Sequence, residues 1–233
     1  VVVAAEGRPT DSFTFGAWLK TTATHELDAQ AASGTVGVNN QRYAFDPSHG
    51  GDQNAGAGLS VGTNGVAVYE HGSNYMPATA AFPTDLGEDW NHIMIVYTAK
   101  QPTIFLNGEA VHTGLVSTRQ TVFAPIQFGG MAYGYFEGLM QDVRMYSRAL
   151  SAQEVRIVTT GYAGNRAFNP RPADEAADVP CDAALSWDPA ETATARDVYI
   201  GTVFEDVNNA SRTDPRGVLL SQGQTQIDRK SVV

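Results

Sequence analysis

Pro102-Thr103-Ile104-Phe105-Leu106-Asn107-Gly108-Glu109-Ala110-Val111-His112 reads as two strand-like runs joined by Asn-Gly. Both residues of that dipeptide accept positive φ, which the tight turns of β-hairpins require, so the stretch predicts an antiparallel hairpin. Just upstream, Asn91-His92-Ile93-Met94-Ile95-Val96-Tyr97 is almost continuously apolar, the pattern of a strand buried on both faces. Ser12 to Lys20 alternates, with Phe13, Phe15, Ala17 and Leu19 on one side and Trp18 on the other. Gly65 to Glu70, after a second Asn-Gly at Asn64-Gly65, and Phe136 to Tyr146 alternate in the same way. The glycine-rich run Gly50 to Gly58 reads as a long loop.

One helix start stands out. Ser151-Ala152-Gln153-Glu154 fits a capping box, with a short helix ending before Gly161. Many short strands and one short helix predict an all-β sandwich. A composition shift after Gly164 leads into the proline-rich Asn169-Pro170-Arg171-Pro172. Ala183 to Trp187 and Asp197 to Thr202 then read as further strands. The expected organisation is a first domain over 1–165, a linker over 166–172 and a smaller β module over 173–233. From Asn169 onward there are eleven acidic and six basic residues, half of the chain's net charge of −10.

That acidity over 233 residues argues against a nucleic-acid partner, which needs a basic face. Hydrophobic residues at 42% and charged residues at 17% exclude a disordered chain. No run approaches the ~18 apolar residues of a membrane span, so no membrane insertion is expected. Cys181 is the single cysteine, so no intrachain disulfide is expected. The first residues, Val1-Val2-Val3-Ala4-Ala5, lack the charged and apolar regions of a signal peptide, and both ends read as possible cuts.

Five stretches occur in the order of a known family: Phe13 to Trp18, Gly62 to Gly72, Trp90-Asn91-His92, Pro102 to Gly108, and Phe136 to Ser151. Over residues 1–160 the chain resembles the laminin-G-like, concanavalin-A-like lectin/glucanase domains of large bacterial extracellular proteins. The resemblance implies a jelly-roll sandwich of two antiparallel sheets and a secreted or cell-surface bacterial protein. It also implies glycans or other cell-surface proteins as partners. The tail, through Leu185-Ser186-Trp187 and Asp197 to Thr202, resembles the start of a fibronectin-type-III-like module, a second and incomplete β-sandwich. Such lectin-like domains open with a strand not found here, and the tail is short of late strands. Head-to-tail self-association by strand addition is therefore expected, with Val1-Val2-Val3 and Ser231-Val232-Val233 as the donated ends.

The glucanases of this superfamily carry two carboxylates on one strand face. The nearest candidate here is Glu26-Leu27-Asp28-Ala29-Gln30, where Gln30 stands in place of the second acid. An amide cannot protonate a leaving group, so no catalytic residue is assigned and the chain is expected not to be an enzyme. The expected role is non-catalytic extracellular adhesion or structural assembly, such as a filament or surface-layer subunit, with glycan binding. A carbohydrate-binding accessory or degenerate domain of a glycoside hydrolase is the alternative. Sugar faces stack on aromatic rings, which makes Tyr43, Tyr69, His71, Asn74, Tyr75, Tyr133 and Tyr135 the candidate ligand contacts. The reading that competes for His71, and the stronger one, is a tie between loop and sheet, and His92 reads as a hydrogen-bonded core residue. The resemblance also implies a structural calcium ion with Asp142 as a ligand; the competing reading pairs Asp142 with Arg144 or Arg148.

Overall fold

A computed structural model describes residues 7–160, 168–172, 176–180, 182–188 and 194–224. The chain divides into two units, 1–161 and 162–233. Val1-Val2-Val3, Cys181 and Ser231-Val232-Val233 lie outside the described residues.

The first unit comprises β1 (Phe13–Thr21), β2 (Tyr43–Phe45), β3 (Ala55–Gly62), β4 (Gly65–His71), β5 (Ala78–Pro83), β6 (Asn91–Thr98), β7 (Gln101–Leu106), β8 (Glu109–Thr113), β9 (Val122–Phe123), β10 (Gly130–Met131), β11 (Gly134–Tyr135), β12 (Gly138–Tyr146) and α1 (Ala152–Thr160). A five-stranded sheet runs β12-β1-β6-β7-β8, and a seven-stranded sheet runs β10-β11-β2-β3-β4-β5, with β9 beside β3. The two sheets form a sandwich. Its interior takes every second residue of each strand: Phe13, Phe15, Ala17 and Leu19 face Leu59, Val61, Val66, Val68 and Ala80. Phe13 stacks on Tyr97 with ring centroids 4.7 Å apart.

The apolar reading of β6 has its cause on the other side of the five-stranded sheet. There Met94, Val96 and Phe105 are covered by Leu150 and by Val155 of α1. Trp18 points to this face too and packs on His92, whose Nδ1 lies 2.7 Å from the Thr159 hydroxyl. The helix begins as its sequence demands: Glu154 N donates to Ser151 Oγ (3.2 Å), and Ser151 N donates to Glu154 Oε2 (2.8 Å). Replacing Ser151 by alanine is expected to cost about 1 kcal/mol, read as a shift in the urea midpoint with unchanged slope.

The two Asn-Gly pairs serve different ends. Asn107 (φ 51°) and Gly108 (φ 91°) make the expected hairpin turn between β7 and β8. At Asn64-Gly65 the turn residues are Thr63 and Asn64, since Gly62 already pairs with Gly65. The Asn64 side chain instead grips the backbone of His25, accepting from its N–H (3.1 Å) and donating to its carbonyl (3.0 Å).

The glycine-rich run is not one long loop: Ala55–Gly62 is β3, buried along its whole length. Its residues alternate, with Ala57, Leu59 and Val61 inward and Gly56, Gly58, Ser60 and Gly62 outward. The outward positions are small because other chain segments lie directly on them. A Cβ would stand 2.0 Å from Ser48 O at Gly56, 2.5 Å from Pro47 Cδ at Gly58, and 2.5 Å from His25 N at Gly62. Ser60 Oγ accepts the Arg42 N–H (2.9 Å) and lies 2.7 Å from His25 Nδ1. Here glycine permits close approach, not flexibility.

In the second unit, β13 (Phe168–Arg171) pairs with β14 (Ser186–Asp188), and β15 (Arg196–Tyr199) with β16 (Leu219–Gln224). A short helix, α2 (Phe204–Asn209), intervenes, with Glu205 and Asp206 in its first turn where the helix dipole favours them. The described residues of this unit thus form two strand pairs and a helix.

Candidate functional site

The outer face of the seven-stranded sheet carries most of the candidate residues. The segment 22–38 roofs its middle. Tyr43 OH donates to Gly37 O (2.7 Å), and Tyr69 OH donates to Asp28 Oδ2 (2.8 Å). The two rings meet edge to face at 5.6 Å, and Gly37 fits because a Cβ there would strike the Tyr69 ring. Both tyrosines have 0% exposure and Tyr75 has 4%, so these three rings offer no free face to a sugar. Their assignment as ligand contacts is corrected accordingly: the ring faces that suggested recognition are buried, and the hydroxyls bond the chain's own loops.

The Glu26–Gln30 stretch is part of that roof. Asp28 accepts from Tyr69 and from Gln41 Nε2 (3.1 Å), while Gln30 Oε1 lies 2.6 Å from His112 Nε2 and accepts Ala81 N–H at 3.3 Å. These groups serve the packing of the segment on the sheet.

The open part of the face is its end, where the 47–54 and 71–75 segments meet β11. Gly50 N–H donates to His71 O (2.9 Å) and Ser73 N–H to Gly51 O (3.0 Å). His71 sits between two rings, with His49 edge-on at 4.9 Å and Tyr133 edge-on at 5.4 Å. His71 and Tyr133 are half-buried and His49 is exposed. Asn74, at φ 48°, forms the exposed tip of the adjoining turn, and Tyr135, 67% exposed, stands on β11.

Hydrogen-bond partners fix which nitrogens carry protons. His71 Nδ1 lies 2.8 Å from Pro47 O, an acceptor only, so Nδ1 is protonated and Nε2 of the neutral ring is an acceptor. Burial lowers the His71 pKa, which keeps that ring neutral at pH 7. Gly51 N–H donates to His49 Nδ1 (3.1 Å), so its Nε2 carries the proton, 3.4 Å from Ser73 Oγ. The ledge therefore offers one acceptor, one donor and a phenol beside two aromatic edges. Both readings of His71 meet here, because its tie to Pro47 is what aims the ring.

Three polar groups were not singled out by sequence reasoning. His49 lies in an irregular segment with no period to read. Asp46 is 4% exposed, its Oδ1 has no hydrogen-bond partner among the described residues, and burial raises its pKa to about 6. Glu70 is 0% exposed. Its signal was available, since it falls in phase with Val66 and Val68 on the core side of β4.

Asp142 lies far from this ledge in the chain, in β12. It sits at φ 51° in a bulge, where the register against β1 slips between Gly16 and Trp18. Its carboxylate accepts from Arg144 Nε at 2.8 Å, and that bond holds its pKa below the usual range. Calcium needs several oxygen ligands and no competing cation. A guanidinium occupies the carboxylate, and among the described residues no three His, Cys, Asp or Glu side chains converge on one point. The residues around Asp142 do not fit a calcium ion.

A laminin G family model of the concanavalin A-like lectin/glucanases superfamily matches residues 1–156. The chain belongs to that superfamily. No curated protein matches. Among solved structures, domain 4 of AbnA, a GH43 extracellular arabinanase from Geobacillus stearothermophilus in complex with arabinotriose, is 14% identical with a TM-score of 0.39, covering 65% of this chain and 68% of that one. A botulinum neurotoxin type C structure, whose cell entry depends on two ganglioside molecules, is 10% identical with a TM-score of 0.42, covering 78% and 47%. The binding domain of Paraclostridial Mosquitocidal Protein 1 is 14% identical with a TM-score of 0.44, covering 73% and 42%. The chain spans about half the length of these two toxin structures. Within the concanavalin A-like sandwich, the ledge lies at one end of the seven-stranded sheet's outer face, beside its roofed middle. No helix among the described residues is long and apolar enough to cross a membrane.

Proposed function

We propose that this chain is a non-catalytic extracellular module that binds glycans at the His49–His71–Tyr133 ledge, in the service of adhesion or structural assembly. The observation that carries the reading is the ring trio itself. Three rings in a row, with His71 touching both His49 and Tyr133 and the two imidazoles in fixed tautomers, present apolar edges beside a donor and an acceptor. A pyranose asks for that combination: a C–H face for the ring and alternating hydroxyl donors and acceptors for the polar groups. Asn74 and Ser73 extend the polar rim, while Tyr135 adds an exposed ring on β11.

The test is retention of the chain on an oligosaccharide array, with reducing-sugar release measured in parallel. Binding without release is expected. Tyr133→Ala should weaken retention by about tenfold, the worth of one lost ring contact. No retention on any oligosaccharide overturns the reading, and sugar release would move the chain to the hydrolases.

A further inference from the structure

Glu70 has 0% exposure and is held only by hydroxyls. Ser117 Oγ and Tyr75 OH (3.5 Å) donate to Oε2, and Tyr97 OH (3.2 Å) donates to Oε1. These donors come from three places: β6, the 72–75 turn of the ledge, and the irregular segment 114–121. No guanidinium or ammonium contacts the carboxyl among the described residues. Lys100, in the β6–β7 turn, spends its ammonium on Arg119 O (2.8 Å), and the Arg119 guanidinium lies 3.6 Å over the Tyr75 ring. His71, the next residue, points to the opposite face of the sheet.

Two features make this cluster a device rather than a fixed network. The Tyr75 hydroxyl has a second acceptor, Ala32 O at 3.2 Å, and one proton can serve only one of them. A neutral Glu70 supplies its own O–H to the Ser117 or Tyr75 oxygen and lets Tyr75 turn to Ala32. An ionised Glu70 must sit in the core with no cation in contact and only the charge of Lys100 to offset it, a state water would relieve. The cheapest route for water is past Ser117, since the 114–121 segment has few backbone bonds: Gly114 N to Pro102 O, Leu115 N to Thr79 O, Ser117 N to Lys100 O, Gln120 N to Gln53 O and Ala55 N to Thr121 O.

We propose that segment 114–121 is a proton-held strap: closed over protonated Glu70, it orders the 72–75 turn of the ledge, and it opens when Glu70 ionises. Its effect on ligands rests on the glycan reading above; the strap itself does not. Burial raises the Glu70 pKa to about 7, which places the transition near neutrality. The sign follows from linkage. An open strap hydrates the carboxylate and returns it toward its ordinary pKa, so rising pH favours opening.

The test is native-state hydrogen exchange of the whole chain at the Ser117, Arg119, Gln120, Ser73 and Tyr75 amides, at pH 5.5 and pH 8, corrected for intrinsic rates. The wild type should open at least about tenfold more at the higher pH. Glu70→Gln should show no such difference. Ser117→Ala, which keeps the carboxyl but removes the latch, should leave these amides open at both pH values. Equal wild-type protection at the two pH values overturns the strap, as does a Glu70→Gln variant that follows the wild type. Array retention is measured at the same two pH values. Weaker wild-type retention at pH 8, absent in Glu70→Gln, supports the coupling. Switched exchange with no retention on any oligosaccharide keeps the strap and removes the glycan reading.

Discussion

Gly56→Ala is expected to destabilise the first unit by about 3 kcal/mol or more, a large part of the 5–15 kcal/mol that holds a typical domain together. A single methyl group is enough because its place is taken. The added Cβ would stand 2.0 Å from the Ser48 carbonyl oxygen, a backbone atom in a segment tied to β3 and β4. Neither partner can give way cheaply. Gly56 pairs with both His71 and Phe123, and Pro47, next to Ser48, holds His71. At roughly 3 °C per kcal/mol for a unit of this size, the melting temperature should fall by about 10 °C. Gly51→Ala is the control. Gly51 has φ 86° but nothing within 4 Å of its Cβ position, so only backbone strain of about 1 kcal/mol is expected. If the two variants melt together, close approach is not why β3 carries glycine.

Glu70→Gln should change strongly how stability depends on pH. A carboxyl with its pKa at about 7 in the fold and 4.5 outside it favours folding fully below 4.5. That advantage is lost as pH rises through about 7, some 3 kcal/mol in all. The wild-type profile will hide this. Asp46, raised to about 6, acts in the same sense, but His25 and His92, both lowered to about 4 by burial, act in the other. These imidazoles stay neutral in the fold and charge on unfolding, so their contribution is lost as pH falls from about 6.5 toward 4. These two carboxyls and two imidazoles therefore nearly cancel one another across the acid range. Glu70→Gln breaks the balance. Its stability relative to wild type should rise by about 3 kcal/mol between about pH 4 and pH 8, measured by urea unfolding at each pH. A constant difference between the two proteins would mean that Glu70 ionises freely within the fold.

The parts of this fold that the sequence makes legible are those whose cause is local. The Asn107-Gly108 turn depends on two φ angles, and the Ser151 cap on residues three apart. The β3 strand escapes a local reading because glycine has two meanings. Its alternation against Ala57, Leu59 and Val61 is visible, but what makes it a strand is the Pro47-Ser48 segment lying on it. The ledge is legible only in its parts. His71 and Tyr133 are singled out by type, yet their contact depends on the parallel pairing of Tyr135 with Tyr43, which no short-range pattern encodes. Tyr43 and Tyr69 show the opposite error. Their residue type suits a sugar platform, and the roof that removes them from solvent, near Tyr43 in the chain but far from Tyr69, is an irregular segment whose course no period announces.

The glycine row of β3 also partitions the molecule by its freedom to vary. Wherever a segment rests on a bare backbone, its course and the sheet beneath it are a matched pair, and a change in one demands a simultaneous change in the other. Segments 22–28 and 46–50 are locked in this way, so transplanting them from a relative would carry β3 along or fail. The tips at Ser73-Asn74 and Ala132-Tyr133 do not lie on the glycine row of β3. Diversification of binding preference, in a lineage or in a library, should therefore collect at those tips while the roofed face stays unchanged.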